Sequence, residues 1–411
     1  MAHISPFRAI HYNPATVPNL AEVITPPYDV IPPGGDQKYW ARHPYNFAHI
    51  DLPRRPQDDY SASAELFKKW RSTGVLVQEH SPCYYLYRQD FQQGGRRHSR
   101  DTLICQVLLS EFSEGVVRPH ENTYGKAKAD RLQLMRKTQA QLSHIFGAVK
   151  DPEGILKAHY ERWEYESTLL HAIDEFEVEH TLWCIAENKA HDLTKFFHDK
   201  PIYIVDGHHR YESSVNYAKE LGVLGQKDHP AAHTMFAIAN VYDPGLVVLP
   251  THRVVSGETS RLSVEKISRF YEMEPMTYEE LKKFTSRHSP VPDFALALRD
   301  QLYRLTPRHW READTDLGRA LHQLAVVWSD RKFLPELCGV TDENRAQRVT
   351  YEKELEKAWE KRLQAEAIIF HAPPSMEQVT QVADDKGFMP QKSTFFYPKL
   401  AAGVTVRDIS S

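Results

Sequence analysis

A chain of 411 residues that is 41% hydrophobic and 26% charged has globular composition and is long enough to bury more than one core. Its net charge of −4 excludes a bulk electrostatic drive towards nucleic acid or an anionic membrane. The four cysteines, Cys83, Cys105, Cys184 and Cys338, stand far apart with no Cys-x-x-Cys pair, which argues against a zinc ribbon and a disulfide framework and fits reduced cytosolic thiols.

The first residues, Met1 to Pro6, show no basic and then apolar leader, and no apolar run approaches membrane-spanning length. A cytoplasmic protein with no membrane partner is expected. Pro26-Pro27, Pro32-Pro33, Pro44 and Pro53 predict ordered surface loops. Among them, Pro26-Pro-Tyr-Asp-Val30 and His43-Pro-Tyr-Asn46 are rigid enough to line a cleft. A helix is expected from about Tyr60 to Ser72. Two strands, from Cys83 to Tyr87 and from Thr102 to Leu109, are expected to join through Gly94-Gly95. Further along, Asp130 to Gln141 reads as helix. Leu182 to Ala186, Ile202 to Val205, Thr234 to Ala239 and Leu246 to Leu249 read as strands.

Composition changes after Ser256. Helices are predicted from Ser263 to Glu272, Tyr278 to Arg287, Gly318 to Trp328, Thr350 to Glu366 and Met376 to Asp384. Strands are predicted from Phe294 to Leu298, Gln301 to Leu305, Ala367 to His371 and Ser393 to Tyr397. Helices and short strands mixed throughout give an α/β fold of mixed α+β type. Two domains are expected, 1–256 and 257–411.

The densest chemistry lies between Pro201 and Glu212. A short apolar strand runs into Asp206-Gly207-His208-His209, and Arg210 opens a helix whose natural stop is Gly222. Strand, glycine turn and helix together aim backbone N–H groups at an anion. The same residues would also make a plain turn, with Asp206 as helix cap. A second cluster, Arg118-Pro-His-Glu-Asn-Thr123, precedes the basic residues Lys126, Lys128 and Arg131. Glutamate beside histidine and cations suits proton transfer or metal-assisted phosphate chemistry. Two more clusters, Leu249-Pro-Thr-His-Arg253 and Met389-Pro-Gln-Lys-Ser-Thr394, follow or open strands. Walker, dinucleotide-binding, zinc-protease and hydrolase-elbow motifs are absent.

Pro26-Pro-Tyr-Asp-Val30, Arg118 to Thr123, Asp130-Arg131, Asp206 to Glu212, Leu249 to Arg253 and Met389 to Thr394 together resemble the signature segments of the domain of unknown function 1015 family. The resemblance runs from about residue 5 to about residue 407. Asp206-Gly-His-His-Arg210 is also similar to the phosphate-binding turn of the ParB/sulfiredoxin superfamily, in the form used by kinases of free serine. His208 stands where sulfiredoxins carry their cysteine. The chain departs from the family at Ser143-His-Ile-Phe146, where members often have proline second, and at Gly125-Lys-Ala-Lys128. The resemblance implies a ParB/sulfiredoxin-like core with an additional C-terminal α/β domain. It also implies a phosphotransferase acting on serine or a similar small hydroxyl compound, with ATP, ADP or pyrophosphate as donor.

In that chemistry a donor phosphate must be held, an acceptor placed and its proton taken. Gly207, His208, Arg210, His120 and Arg118 are the phosphate or nucleotide candidates. Asp206, Glu121 and His209 are the catalytic candidates, and Asp206 and Glu121 are the candidates for Mg²⁺. Lys126, Lys128, Arg131, His252, Arg253, Lys392 and Ser393 are the candidates for substrate. Two other readings stay open. One is a ParB-like nucleotide-binding regulatory module without turnover. The other is a zinc or manganese hydrolase using His120, Glu121, His208 and His209.

Overall fold

The structure is a computed structural model. It describes residues 2–410 except 33, 54–59, 124, 164–166, 191, 258–261 and 313–317, and only the backbone of 126, 127 and 167. The chain divides into two compact units. The first comprises Met1–Pro119, Thr123–Leu246 and Pro398–Ser411, and the second His120–Asn122 and Val247–Tyr397. The fold is mixed α+β, with one large mixed sheet and several smaller ones. Among the described residues no helix is long and apolar enough to cross a membrane.

The first unit is built on a nine-stranded sheet. Its spatial order is Val117–Arg118, Ile202–Asp206, Ile145–Val149, His233–Asn240, Arg96–Leu108, Cys83–Gln93, Glu179–Ala186 and Ser167–Ile173, with Ile4–Ser5 pairing beside Arg96–Leu108. Ile202–Asp206 runs parallel to Val117–Arg118 and antiparallel to Ile145–Val149. Both it and Ile145–Val149 are apolar because side chains are covered on both faces. Ile202, Ile204, Ile145 and Val149 join one core with Phe236, Tyr211 and Val215.

The expected hairpin across Gly94-Gly95 is present and long, from Cys83–Gln93 into Arg96–Leu108. The helix expected from Asp130 starts earlier, as Gly125–Thr138. The last residues of the chain return to this unit. Val406 bridges Ile10, Ala402 bridges Thr25, and buried Arg407 donates to Gln106 Oε1 at 2.7 Å and to the Pro230 carbonyl at 2.8 Å. These contacts fix the position of Lys399.

The second unit holds a six-stranded antiparallel sheet. Its order is Tyr271–Pro275, Gln301–Pro307, Phe294–Leu298, Ala367–Phe370, His252–Val255 and Val349–Glu352. Alternate residues feed two cores on opposite faces. Phe294, Leu296, Val255 and Ile369 enter one, and Ala295, Ala297, Val254 and Ile368 enter the other. Three sequence expectations are corrected here. The helix expected from Thr350 to Glu366 begins instead as the strand Val349–Glu352, and only Leu355–Glu360 is α-helix. The helix expected to Glu272 stops at Ser268, and Tyr271–Pro275 is an edge strand. His252-Arg253, expected as a polar loop at a strand end, opens a strand lying between two others.

Candidate functional site

Ile202–Asp206 carries a β-bulge at its end. Ile204 lies opposite Gly147, but Asp206 lies opposite Phe146, so Val205 is the extra residue. A bulge bends the strand and re-aims the next side chain. Gly207 follows at φ +93°, the left-handed region that a residue with a Cβ enters only at a cost. The 13-residue helix His208–Glu220 starts immediately after it. Its first N–H groups have no acceptor within the helix, and its dipole places partial positive charge at the turn.

Asp206 is the electrostatic centre of this turn. Its Oδ2 accepts from Arg210 Nη2 at 2.7 Å, and its Oδ1 accepts from Lys399 Nζ at 2.8 Å. Burial alone would raise its pKa. The Lys399 ammonium and then the Arg210 guanidinium outweigh that and hold the carboxyl well below the usual range. Asp206 is therefore an ionised anchor near neutral pH, with both oxygens facing cations. A carboxylate so weakly basic is a poor proton acceptor. Arg210, also buried, donates through Nη1 to the His144 carbonyl and reaches Ser143 Oγ at 3.5 Å. Its guanidinium packs beneath the turn: a Cβ on Gly207 would stand 3.0 Å from Arg210 Cζ and Nε.

Around the turn the charges alternate. Glu212 accepts from Thr123 Oγ1 at 2.7 Å and from Lys128 Nζ at 2.5 Å. Arg131 is buried, with Nη1 on Asp51 Oδ1 at 2.9 Å, Nε on Asp130 Oδ2 at 2.8 Å, and its guanidinium 4.0 Å from the Tyr28 ring centre. Asp29 is exposed, and its charge acts on Arg210, Tyr28 and His209. His209 is half-buried. Its pKa is lowered by burial, against the opposing pull of Asp29 and Glu212, so the ring is neutral near pH 7. His208 is buried beside it.

The other predicted residues fall as follows. Arg118 donates through Nε to the Gly115 carbonyl at 3.1 Å and faces the Tyr203 ring. Lys126 is on the helix Gly125–Thr138, but its side chain lies outside the described residues. In the second unit, Glu121 Oε1 accepts the Lys392 N–H at 3.2 Å, which holds Lys392 at φ +59°. A lysine in that conformation is strained, as at many functional turns. His120 is buried, with Nε2 3.2 Å from Thr394 Oγ1, and Ser393 donates to the Pro390 carbonyl.

Two predicted substrate residues do not face a solvent-accessible site. His252 is fully buried, and so is Arg253, whose Nε and Nη2 reach Asp330 at 3.0 and 3.3 Å. Burial leaves both with a structural part, Arg253 paired to Asp330 and His252 Nδ1 accepting the His371 N–H at 3.3 Å.

The chain matches the family described as protein of unknown function DUF1015 over residues 4–327. It belongs to that family. The matched span includes Tyr28, Asp29 and the whole Asp206–Glu212 turn, and ends before Lys392 and Lys399. No curated protein matches the chain. Among solved structures, a conserved hypothetical protein from Pyrococcus furiosus is similar at 13% identity and TM-score 0.35, over 69% of this chain and 89% of that one. A mutant free serine kinase in complex with AMP is similar at 13% identity and TM-score 0.37, over 72% of this chain and 87% of that one. C-terminally truncated SbnI from Staphylococcus aureus is similar at 9% identity and TM-score 0.35, over 70% and 82%.

Sequence reasoning missed three residues of this site as individuals. Asp29 and Glu212 lie in the Pro26–Val30 and Asp206–Glu212 segments, where their neighbours carry the stronger local signal. Lys399 had no local signal, because its partner lies 193 positions away. His144 is also part of the turn's support. Its Nε2 lies 2.6 Å from Thr405 Oγ1, and its carbonyl takes Arg210. Burial, and then Arg210, push its pKa down to about 3.

This has a consequence for stability. The unfolded chain binds a proton at His144 near pH 6.5, whereas the folded chain binds it only near 3. Between those values the unfolded state holds the extra proton, so stability falls as pH falls. From pH 6.5 to 5 the expected loss through His144 is about 2 kcal/mol. Urea denaturation at the two pH values, in wild type and His144→Asn, measures it. The variant should lose less than wild type over that interval.

Proposed function

We propose that this protein is a small-molecule phosphotransferase that moves a phosphoryl group from ATP, ADP or pyrophosphate to the hydroxyl of serine or a similar compound. The observation that carries the reading is the Asp206–Gly207 turn. There a bulged strand end and a left-handed glycine lead into the N-terminus of the His208–Glu220 helix, beside an Asp206–Arg210–Lys399 ion network.

In this reading the donor phosphate sits on the N-terminus of the His208–Glu220 helix. Lys128 takes the substrate carboxylate. The acceptor oxygen bonds to the transferred phosphorus, the bond to the leaving phosphate oxygen breaks, and the hydroxyl proton passes to Asp29. Asp29 is chosen over Asp206 because it is an exposed carboxylate. His209, neutral through burial, is the second proton-handling group. Bound with the donor, Mg²⁺ would neutralise charge on the phosphates. Asp206, with Lys399 and Arg210 on its two oxygens, does not suit a metal ligand.

Calorimetric titration with ATP, ADP and pyrophosphate tests the donor site. Gly207→Ala should weaken binding of the true donor at least about tenfold, since the new Cβ strains the turn and meets Arg210. Unchanged affinity in a folded Gly207→Ala variant removes the turn from donor binding.

A further inference from the structure

Two of the four scattered cysteines meet in the folded first unit. Cys83 opens the strand Cys83–Gln93, and Cys184 lies in Glu179–Ala186. These strands pair antiparallel with Ala186 opposite Cys83 and Cys184 opposite Tyr85, so the cysteines are diagonal neighbours on one face of the sheet. Glu79, in the turn before Cys83, brings a carboxylate oxygen to the same place. The two sulfurs and that oxygen lie within 4.8 Å of one another. Both cysteines are buried, while the Glu79 side chain is 23% exposed.

The surroundings are fixed by the backbone. Phe7 and Cys83 exchange N–H donors at 3.1 and 3.0 Å, and the Glu79 N–H donates to the Ala9 carbonyl at 2.9 Å. Tyr85 Oη donates to the Phe7 carbonyl and accepts the Ala9 N–H, each at 2.9 Å. His11 completes the group. Its Nδ1 is 2.9 Å from the Tyr12 carbonyl, which only accepts, so Nδ1 carries a proton; Nε2 faces Glu79 Oε1 at 2.8 Å. A histidine that orients a ligating carboxylate is a common outer partner of a metal.

We propose that Glu79, Cys83 and Cys184 form a site for a thiophilic divalent cation of the zinc type, with His11 as the residue that positions Glu79. A disulfide fits this geometry less well. Diagonal cross-strand Cα atoms stand roughly 7–8 Å apart, whereas a disulfide usually spans about 4.4–6.8 Å. A tetrahedral ion with metal–sulfur bonds of about 2.3 Å instead holds two sulfurs close to 3.8 Å apart. Two thiolates and one carboxylate select a borderline-soft ion over Mg²⁺ or Ca²⁺, which take oxygen ligands. Binding deprotonates both thiols and releases those protons to solvent. A water from the exposed Glu79 side fills the fourth position.

The test uses the full chain, stripped with a chelator and reduced. Zn²⁺ is titrated in competition with a chromophoric chelator, and Co²⁺ is added separately to detect a thiolate-to-cobalt charge-transfer band. One Zn²⁺ per chain and a cobalt band are expected. Cys184→Ser should lower Zn²⁺ affinity at least about 100-fold, and His11→Gln about 10- to 100-fold. Because a buried cysteine variant can misfold, Glu79→Gln is the companion. It should lower affinity at least tenfold with an unchanged circular dichroism spectrum. Absence of the cobalt band, or equal affinity in folded Glu79→Gln and Cys184→Ser, overturns the proposal. So does a mass two hydrogens lighter with Cys83 joined to Cys184 in protein handled without oxidant.

Discussion

Asp206→Asn is expected to cost about 2–4 kcal/mol of stability, slightly under the roughly 3–5 kcal/mol for a fully buried pair because the Asp206 side chain is 19% exposed. The amide keeps the size and can still accept one hydrogen bond. It cannot balance Lys399 and Arg210, whose charged groups then face each other across a neutral side chain. The sign with pH follows from the same network. The folded carboxyl ionises far more readily than the unfolded one, so its contribution is fully present above the ordinary carboxylate range and is lost as pH falls through and below it. Turnover should fall at least about 100-fold as well, because Arg210 and Lys399 define the floor of the turn. Chemical denaturation and steady-state kinetics on the same preparation separate the two effects. A variant with wild-type stability shows that the two cations have other partners of equal strength. It then removes Asp206 from the centre of the site.

The second large effect is expected in the other unit. Asp330 accepts from Arg253 at 3.0 and 3.3 Å and from Arg345 at 3.3 Å, and both Asp330 and Arg253 are almost fully buried. Asp330→Ala leaves two guanidinium groups without their carboxylate and should destabilise by about 3–5 kcal/mol. Arg253→Met removes the cation itself and keeps much of the volume, so it should cost less than Asp330→Ala. This pair of variants also decides what Arg253 is for. A structural Arg253 predicts that folded Arg253→Met keeps its KM for the small-molecule acceptor. A rise in KM of tenfold or more without loss of stability would return Arg253 to the substrate.

Much of the candidate site is legible in local sequence because local physics makes it. An apolar strand, a glycine and an amphipathic helix need no distant partner to be read, and Ile202–Asp206, Gly207 and His208–Glu220 stand where the pattern puts them. The bulge at Val205 is not legible, since register depends on the facing strand. Lys399 is hidden for the same reason: its place is set by bridges from the chain's last residues to Ile10 and Thr25. His252-Arg253 misleads because a buried arginine reads as a surface residue until Asp330 is known to lie against it. The same kind of override turns Val349–Glu352 into strand. Its residues pair with His252–Val255, and that pairing wins over the helical spacing of Leu355 and Trp359 beyond it.

Transfer of a phosphoryl group to a small hydroxyl compound at the Asp206 turn is the reaction to look for. The direct measurement incubates wild type and Asp29→Asn with Mg²⁺, free serine and, separately, ATP, ADP or pyrophosphate, and follows phosphoserine by mass spectrometry. Wild type should form phosphoserine with one of the donors. Asp29→Asn, changed only at an exposed side chain, should fold normally and form it at least about 100-fold more slowly. Donor binding with no phosphorylated serine or other hydroxyl product would contradict the transfer reading and leave a nucleotide- or phosphate-binding regulatory module. Equal rates in the two proteins would contradict the assignment of Asp29.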